Sequence, residues 1–318
     1  MAVYKVRLRS PFILEETGST SSYKSADLTI QISSVDRYVI SKDTDSAYKV
    51  RFEISELIRD YLEISWDGAT LPYSSQVTTA SLSIQFFDAT KIERGSGSGS
   101  AIGAAIPHTV YGFDSYSGFI EGANKQIVSG GLMQSNTVMY LSETETAYVP
   151  SESSNVITYT SVSTSDTSAT IGGIPVTFKR LCEPIYSLVK IIFINKFGAF
   201  QEMWFNKKST NSISLSDEKY QRNIMSGTTY SVTDHQTYVY NKQARENMII
   251  NTGFVEEGQF EPIQQLLLSE QVWAKVGTSV LPVIITTSNM TKKTVTNEKV
   301  INYTLELEYA FDILNSVR

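Results

Sequence analysis

Chemistry needs reactive side chains brought close together, and this sequence offers few candidates. It has two histidines, His108 and His235, far apart and each without a neighbouring Cys or second His, so no zinc-ligand spacing is present. The single cysteine, Cys182, stands beside Leu181 ahead of an apolar run, where a small core residue is expected rather than a nucleophile. A lone cysteine also excludes an internal disulfide framework. No G-x-S-x-G turn occurs to present a nucleophilic serine. Asp43-Thr44-Asp45 lacks the further oxygen ligands and the fixed Gly of a calcium loop, and is expected to form a solvated turn.

Glycoside hydrolysis needs two facing carboxyl groups. The close pairs are Glu143 with Glu145, Glu256 with Glu257, and Glu306 with Glu308. Glu306 and Glu308 would share one strand face about 7 Å apart, but Asn302 and Thr304 share it too, as on an ordinary wet face. Arg94 to Gly103, RGSGSGSAIG, lacks the glycine order that cradles phosphates and is expected to be a mobile loop. Trp66, Trp204 and Trp273 would make a sugar-stacking platform if exposed; core packing is the expectation for Trp204 and Trp273. No catalytic, cofactor-binding or metal-ligating residue is nominated, and the chain is expected not to be an enzyme.

The elements that must position these side chains follow from composition and pattern. A chain of 318 residues is expected to hold two or three domains. Hydrophobic residues make up 41% and charged residues only 19%, with Ser and Thr on the exposed positions, a balance that suits β structure. The net charge of -6, without a basic run, argues against nucleic acid as a partner. MAVYKVRLRSPF has no apolar export segment, and no stretch reaches the length of a membrane span, so folding in a cytosol is expected.

Alternating residues predict strands around Tyr4 to Leu8, Leu28 to Ile32, Tyr38 to Ile40, Tyr48 to Phe52 and Leu82 to Phe86, with a helix from Ser55 to Leu62. His108 to Asn124 interleaves Tyr111, Phe113, Tyr116 and Phe119 with Gly and Ser, which suits either an adaptable contact surface or the edge of a core. A polar segment from Lys125 to Arg180 carries short strands at Val138 to Leu141, Val156 to Tyr159 and Val176 to Phe178. The strongest pattern is Ile185 to Asn206, an apolar strand, a turn at Asn195 to Gly198 and an aromatic strand, expected as a hairpin in the middle of a sheet. Beyond it, strands are predicted at Ser231 to Tyr240, Met248 to Thr252, Leu281 to Thr286 and Ile301 to Tyr309, a turn at Asn289 to Asn297, and a helix from Phe260 to Trp273.

The expected fold is mainly β and multi-domain, with Ig-like or β-sandwich domains and one or two short helices packed on the C-terminal sheet. The expected divisions are an N-terminal β-sandwich over 1–124, a small β module or connector over 125–180, and a C-terminal β domain over 181–318.

Several blocks carry a resemblance. INKFGAFQEMWFNKKST, YVYNKQARENMIINTGFV, LLLSEQVWA and INYTLELEYAFDILNSVR, with FEISELIRDYLE and YGFDSYSGFIEGAN, resemble a family of virion structural proteins of tailed bacteriophages. The resemblance spans most of the chain, but its motifs are structural and carry over no functional residue. It implies a tail or baseplate component that assembles as a symmetric oligomer, with copies of itself in a ring and other virion proteins as partners, made in the host cytoplasm and located in the virion. Arg94 to Pro107 and Ser151 to Gly173 are the expected assembly arms. A head decoration or connector protein is an alternative within that class. An adhesin binding a host-surface glycan or receptor through Tyr111 to Phe119 is an alternative outside it.

Overall fold

The computed structural model describes residues 1–143, 145–181, 186–294 and 301–314. Cys182 and Ile185, and part of the expected turn at 289–297, lie outside the described residues. The fold is mostly β, with 50% of residues in strands and 8% in helices, multi-domain and sandwich-rich. It forms two compact units, Met1–Met139 with Thr144–Phe178 and Ile194–Gln201, and Tyr140–Glu143 with Lys179–Phe193 and Glu202–Arg318.

The first unit begins with β1 (Ala2–Arg7), β2 (Ile13–Thr17), β3 (Ser25–Ile32), β4 (Val35–Asp43), β5 (Lys49–Glu53), α1 (Ser55–Arg59), β6 (Val77–Phe87), α2 (Lys91–Gly95) and β7 (Ala101–Phe113). A five-stranded sheet runs in the order β1-β7-β6-β3-β4, and β2 pairs with β5 in a second sheet. Because side chains alternate across a strand, Leu28, Ile30, Leu82 and Ile84 fall on one face. They meet Leu14, Val50 and Phe52 of the smaller sheet and Ile58 of α1 in one core. Each such side chain, withdrawn from water, stabilises the unit by about 1.5–3 kcal/mol before its entropy cost.

Next come β8 (Gly130–Gly131), β9 (Thr137–Ser142), β10 (Ala147–Ser153), β11 (Val156–Val162), β12 (Ser168–Ile171) and β13 (Ile174–Leu181). They form the ladders β11-β10-β8 and β12-β13-β9. The Gly131 N–H donates to the Gly172 carbonyl at 2.8 Å. A Cβ on Gly172, whose φ is +56°, would lie 2.1 Å from Gly131 N, so only glycine fits.

The second unit is built on β14 (Val189–Ile194), β15 (Phe200–Phe205), β16 (Thr210–Gln221), β17 (Thr237–Asn251), α3 (Phe260–Leu267), β18 (Val272–Val276), β19 (Ser279–Ile285) and β20 (Thr304–Tyr309). These strands make one seven-stranded sheet in the order β15-β14-β18-β19-β20-β17-β16. Ile263 and Leu266 of α3 close its core against Ile191, Phe193, Leu305 and Leu307.

Several sequence expectations are met: the strands around Tyr4, Leu28, Tyr38, Val50, Leu82, Val138, Val156, Val176, Leu281 and Leu305 all form. Others are corrected. The apolar strand of the hairpin, β14, lies inside its sheet between β15 and β18 as expected, whereas the returning strand β15 is the sheet's edge although it too is buried throughout. The predicted helix to Trp273 stops at Leu267. Val272 and Trp273 instead pair with Phe193 and Ile192 in β18, where a β-branched and an aromatic residue fit a ladder. Helix α1 ends at Arg59 instead of reaching Leu62, and its N-cap position is Ile54, not Ser55.

Arg94 to Gly103 is not a free loop. Thr90 and Glu93 form a capping box that starts α2, Arg94 forms an ion pair with Asp27, and β7 begins at Ala101. Burial works to raise the Asp27 pKa, but the hydrogen bonds from Arg94 and Ser41 and the Arg94 charge together outweigh it and hold the carboxyl below its usual value. Ser151 to Gly173 likewise lies largely in the β10, β11 and β12 ladders. Neither expected arm projects as one.

Candidate interaction surface

The structure scatters most of the side chains singled out above. His108 is buried at the β1–β7 pairing, its Nε2 3.1 Å from Glu16 Oε1 and its ring 5.8 Å from that of Tyr4. Burial lowers its pKa against the opposing pull of Glu16. His235 is exposed in the second unit. Glu256 pairs with Lys179, and Glu308 with Arg245 at 2.7 Å. Among the described residues no group of three or more His, Cys, Asp or Glu is placed to hold a metal ion, and no helix is long and apolar enough to cross a membrane.

Asp43 ends β4 and Asp45 opens the turn into β5, its Oδ1 accepting from the Ala47 and Lys49 N–H groups. Trp204 is buried. Trp66 lines an open groove of about 440 Å³ with Ser65, Asp67, Thr70 and Ser74. Its Nε1 donates to the Thr70 carbonyl, and Thr70 also holds the Asp67 carboxyl down at about 2. In the aromatic segment, Phe113 is core while Phe119 and Ile120 are fully exposed, so that stretch divides between the two roles the sequence left open.

What the sequence did not single out is the β16–β17 ribbon. The two strands, 12 and 15 residues long, pair from Thr210↔Ile249 to Gln221↔Thr237. At roughly 3.4 Å per residue, β16 is about 40 Å long. On its other side β17 pairs with β20 only over Asn247–Asn251. The Ile313 N–H adds one bond to the Ala244 carbonyl at 2.8 Å. Among the described residues, the two strands pair with each other alone toward the tip, and every residue of β16 is exposed.

Ribbon side chains continue the pattern of the core without its cover. Ala244, Glu246, Met248 and Ile250 share one face of β17, and Asn211, Ile213 and Leu215 stand opposite them. Met248 and Ile250 are buried in the core, whereas Ile213 and Leu215, on that same face, are 62% and 65% exposed. Past a bulge between Glu218 and Lys219, aromatic residues gather. The Tyr220 ring lies 5.9 Å from Tyr238 and 6.0 Å from Tyr240. Arg222 stacks 4.8 Å over Tyr238, and its Nε donates to the His235 carbonyl at 3.1 Å. A hydrogen bond with Glu218 raises the Tyr240 pKa. In the connecting loop Met225, Tyr230 and Val232 are also exposed.

Such a two-stranded ribbon is marginal alone in water, and its exposed Tyr, Arg and Met side chains are those that anchor interfaces. The signal for it was present but thin. Ile213 and Leu215 alternate with Ser212, Ser214 and Ser216, too few apolar positions to separate a strand from a polar connection. No protein-family model matches the chain, and no curated protein sequence matches it.

Proposed function

We propose that this chain is a non-enzymatic structural protein of a tailed-bacteriophage particle, a tail or baseplate component that assembles as a homo-oligomer through its β16–β17 ribbon. The observation that carries this reading is the ribbon itself: it extends the apolar face of a core sheet beyond the residues that cover that face. The tyrosines of its tip and connecting loop alone hold on the order of 400 Å² of accessible ring surface, against about 800 Å² per partner in a standard interface. The sequence resemblance supplies the kind of particle.

The test is composition and protection. Purified particles should contain the chain, with the ribbon protected from limited proteolysis there and cleaved in the chain diluted to a monomer. Particles without the chain, or a ribbon cut equally in both states, would overturn the reading.

An adhesin reading has one observation in its favour, the Trp66 groove with its hydroxyl and carboxylate lining. A glycan array with wild type and Trp66→Ala separates the two readings. A signal lost in the variant would favour the adhesin.

A further inference from the structure

The outer edge of β16 identifies its own partner. An exposed edge strand is a template for pairing, and natural sheets blunt theirs with Lys, Pro, inward charges or bulges. From Thr210 to Ser216, TNSISLS, this edge has none of them. The first charges, Asp217 and Glu218, come at the bulge that ends the regular stretch.

We infer that β16 pairs antiparallel with β16 of a second copy of this chain, across a two-fold axis at Ser214. The inference deepens the assembly reading above and rests on it for its biological meaning. An interface of this kind must be self-complementary, and this register is. Ile213 comes opposite Leu215 of the second copy, and Leu215 opposite its Ile213, so the exposed apolar residues of both chains form one cluster on the face that carries Met248 and Ile250. On the other face Ser214 meets Ser214, and Ser212 meets Ser216, small side chains that let the ladder close.

The charges agree with the same register. Asp217 falls opposite Asn211 and Glu218 opposite Thr210, so no like charges are apposed. Continued one step further, Tyr220 comes alongside Lys208 of the second copy, with Glu218 diagonal to that ammonium. Moving the axis to Leu215 would instead place Ile213 opposite Asp217, so that, with Glu246 already opposite it on β17, it would have a carboxylate on each side and no apolar partner. In the favoured register the two seven-stranded sheets become one continuous sheet, and each tip lies along the base of the other ribbon.

Cross-linking and sedimentation of the full chain test this. In a Cys182→Ser background, Ser214→Cys should form an intermolecular disulfide under mild oxidation, since directly opposite Cβ atoms lie about 4.5–5.5 Å apart. Ser212→Cys, about 14 Å from its own copy in this register, should not. Unsubstituted chain should sediment as a dimer and Ser214→Lys, an edge charge on an exposed position, as a monomer. A monomeric parent chain, or cross-linking at position 212 in place of 214, would overturn the pairing. Failure of the pairing while the chain is still found in particles leaves the assembly reading standing. A dimeric chain absent from particles overturns that reading and leaves the pairing intact.

Discussion

Lys190 Nζ lies 3.1 Å from Glu202 Oε1 within the β14–β15 hairpin, with side-chain exposures of 6% and 0%. The ammonium also sits 5.2 Å from the Trp204 ring centroid. Two charges withdrawn from water this far are tolerated because each answers the other. Glu202→Ala leaves the ammonium buried without its carboxylate and should cost about 3–5 kcal/mol in urea unfolding. The double variant Lys190→Met with Glu202→Leu should recover most of that loss, because it removes both desolvation costs and keeps the packing. A single variant as stable as the parent would mean that the pair is solvated.

Asn195 organises the tip of the same hairpin. Its Oδ1 accepts from the N–H groups of Phe197 and Ala199, and its Nδ2 donates to the Leu132 carbonyl and to Gln201 Oε1. Asn195 is fully buried, so Asn195→Ala strands these partners away from water and should destabilise by about 1–3 kcal/mol, read as a lower urea midpoint at unchanged m-value. Asn195→Asp supplies only the acceptor half of the pattern and should not rescue it.

The apolar and turn chemistry of this hairpin was legible because it is local: an Ile- and Phe-rich run, Asn and Gly in the turn, an aromatic return. Its place at the sheet edge was not, because flanking residues distant in sequence decide burial. The end of α3 was misread for a related reason. Ile263, Leu266 and Leu267 share a helical spacing, but Val272 falls off that face, and Val272 and Trp273 instead pair as a strand beside Phe193 and Ile192. Pattern also failed at the candidate site. Ile213 and Leu215 are too few apolar positions to mark a strand, so Lys207 to Tyr220 reads as a basic and polar stretch, and the single strand β17 as two, Ser231 to Tyr240 and Met248 to Thr252.

His108 provides a pH dependence. Its folded pKa is depressed below the ordinary value of 6.5, chiefly by burial. A depressed base binds fewer protons folded than unfolded, so its contribution is complete above about pH 6.5 and is lost as pH falls below that value. The Tm should therefore decline more steeply from pH 7 to pH 5.5 in the parent chain than in His108→Gln. Parallel profiles would remove His108 from the account.

The exposed apolar pair of the ribbon should matter for assembly and not for folding. Ile213→Ser with Leu215→Ser changes only side chains that the single chain leaves in solvent, so stability should stay within about 0.5 kcal/mol per substitution. Incorporation into particles should nevertheless fall in a complementation assay. Loss of thermal stability at a dilution where both chains are monomeric would show that these residues serve the chain's own fold.

The most direct test of the central claim is a reconstruction of the intact particle at a resolution that traces β strands. It should show symmetry-related copies of the chain in the tail or baseplate, with the β16 edge paired and Ile213, Leu215 and the Tyr220–Tyr238–Tyr240 cluster covered by neighbouring protein. A particle without the chain, or one in which the ribbon projects uncovered into solvent, would contradict it.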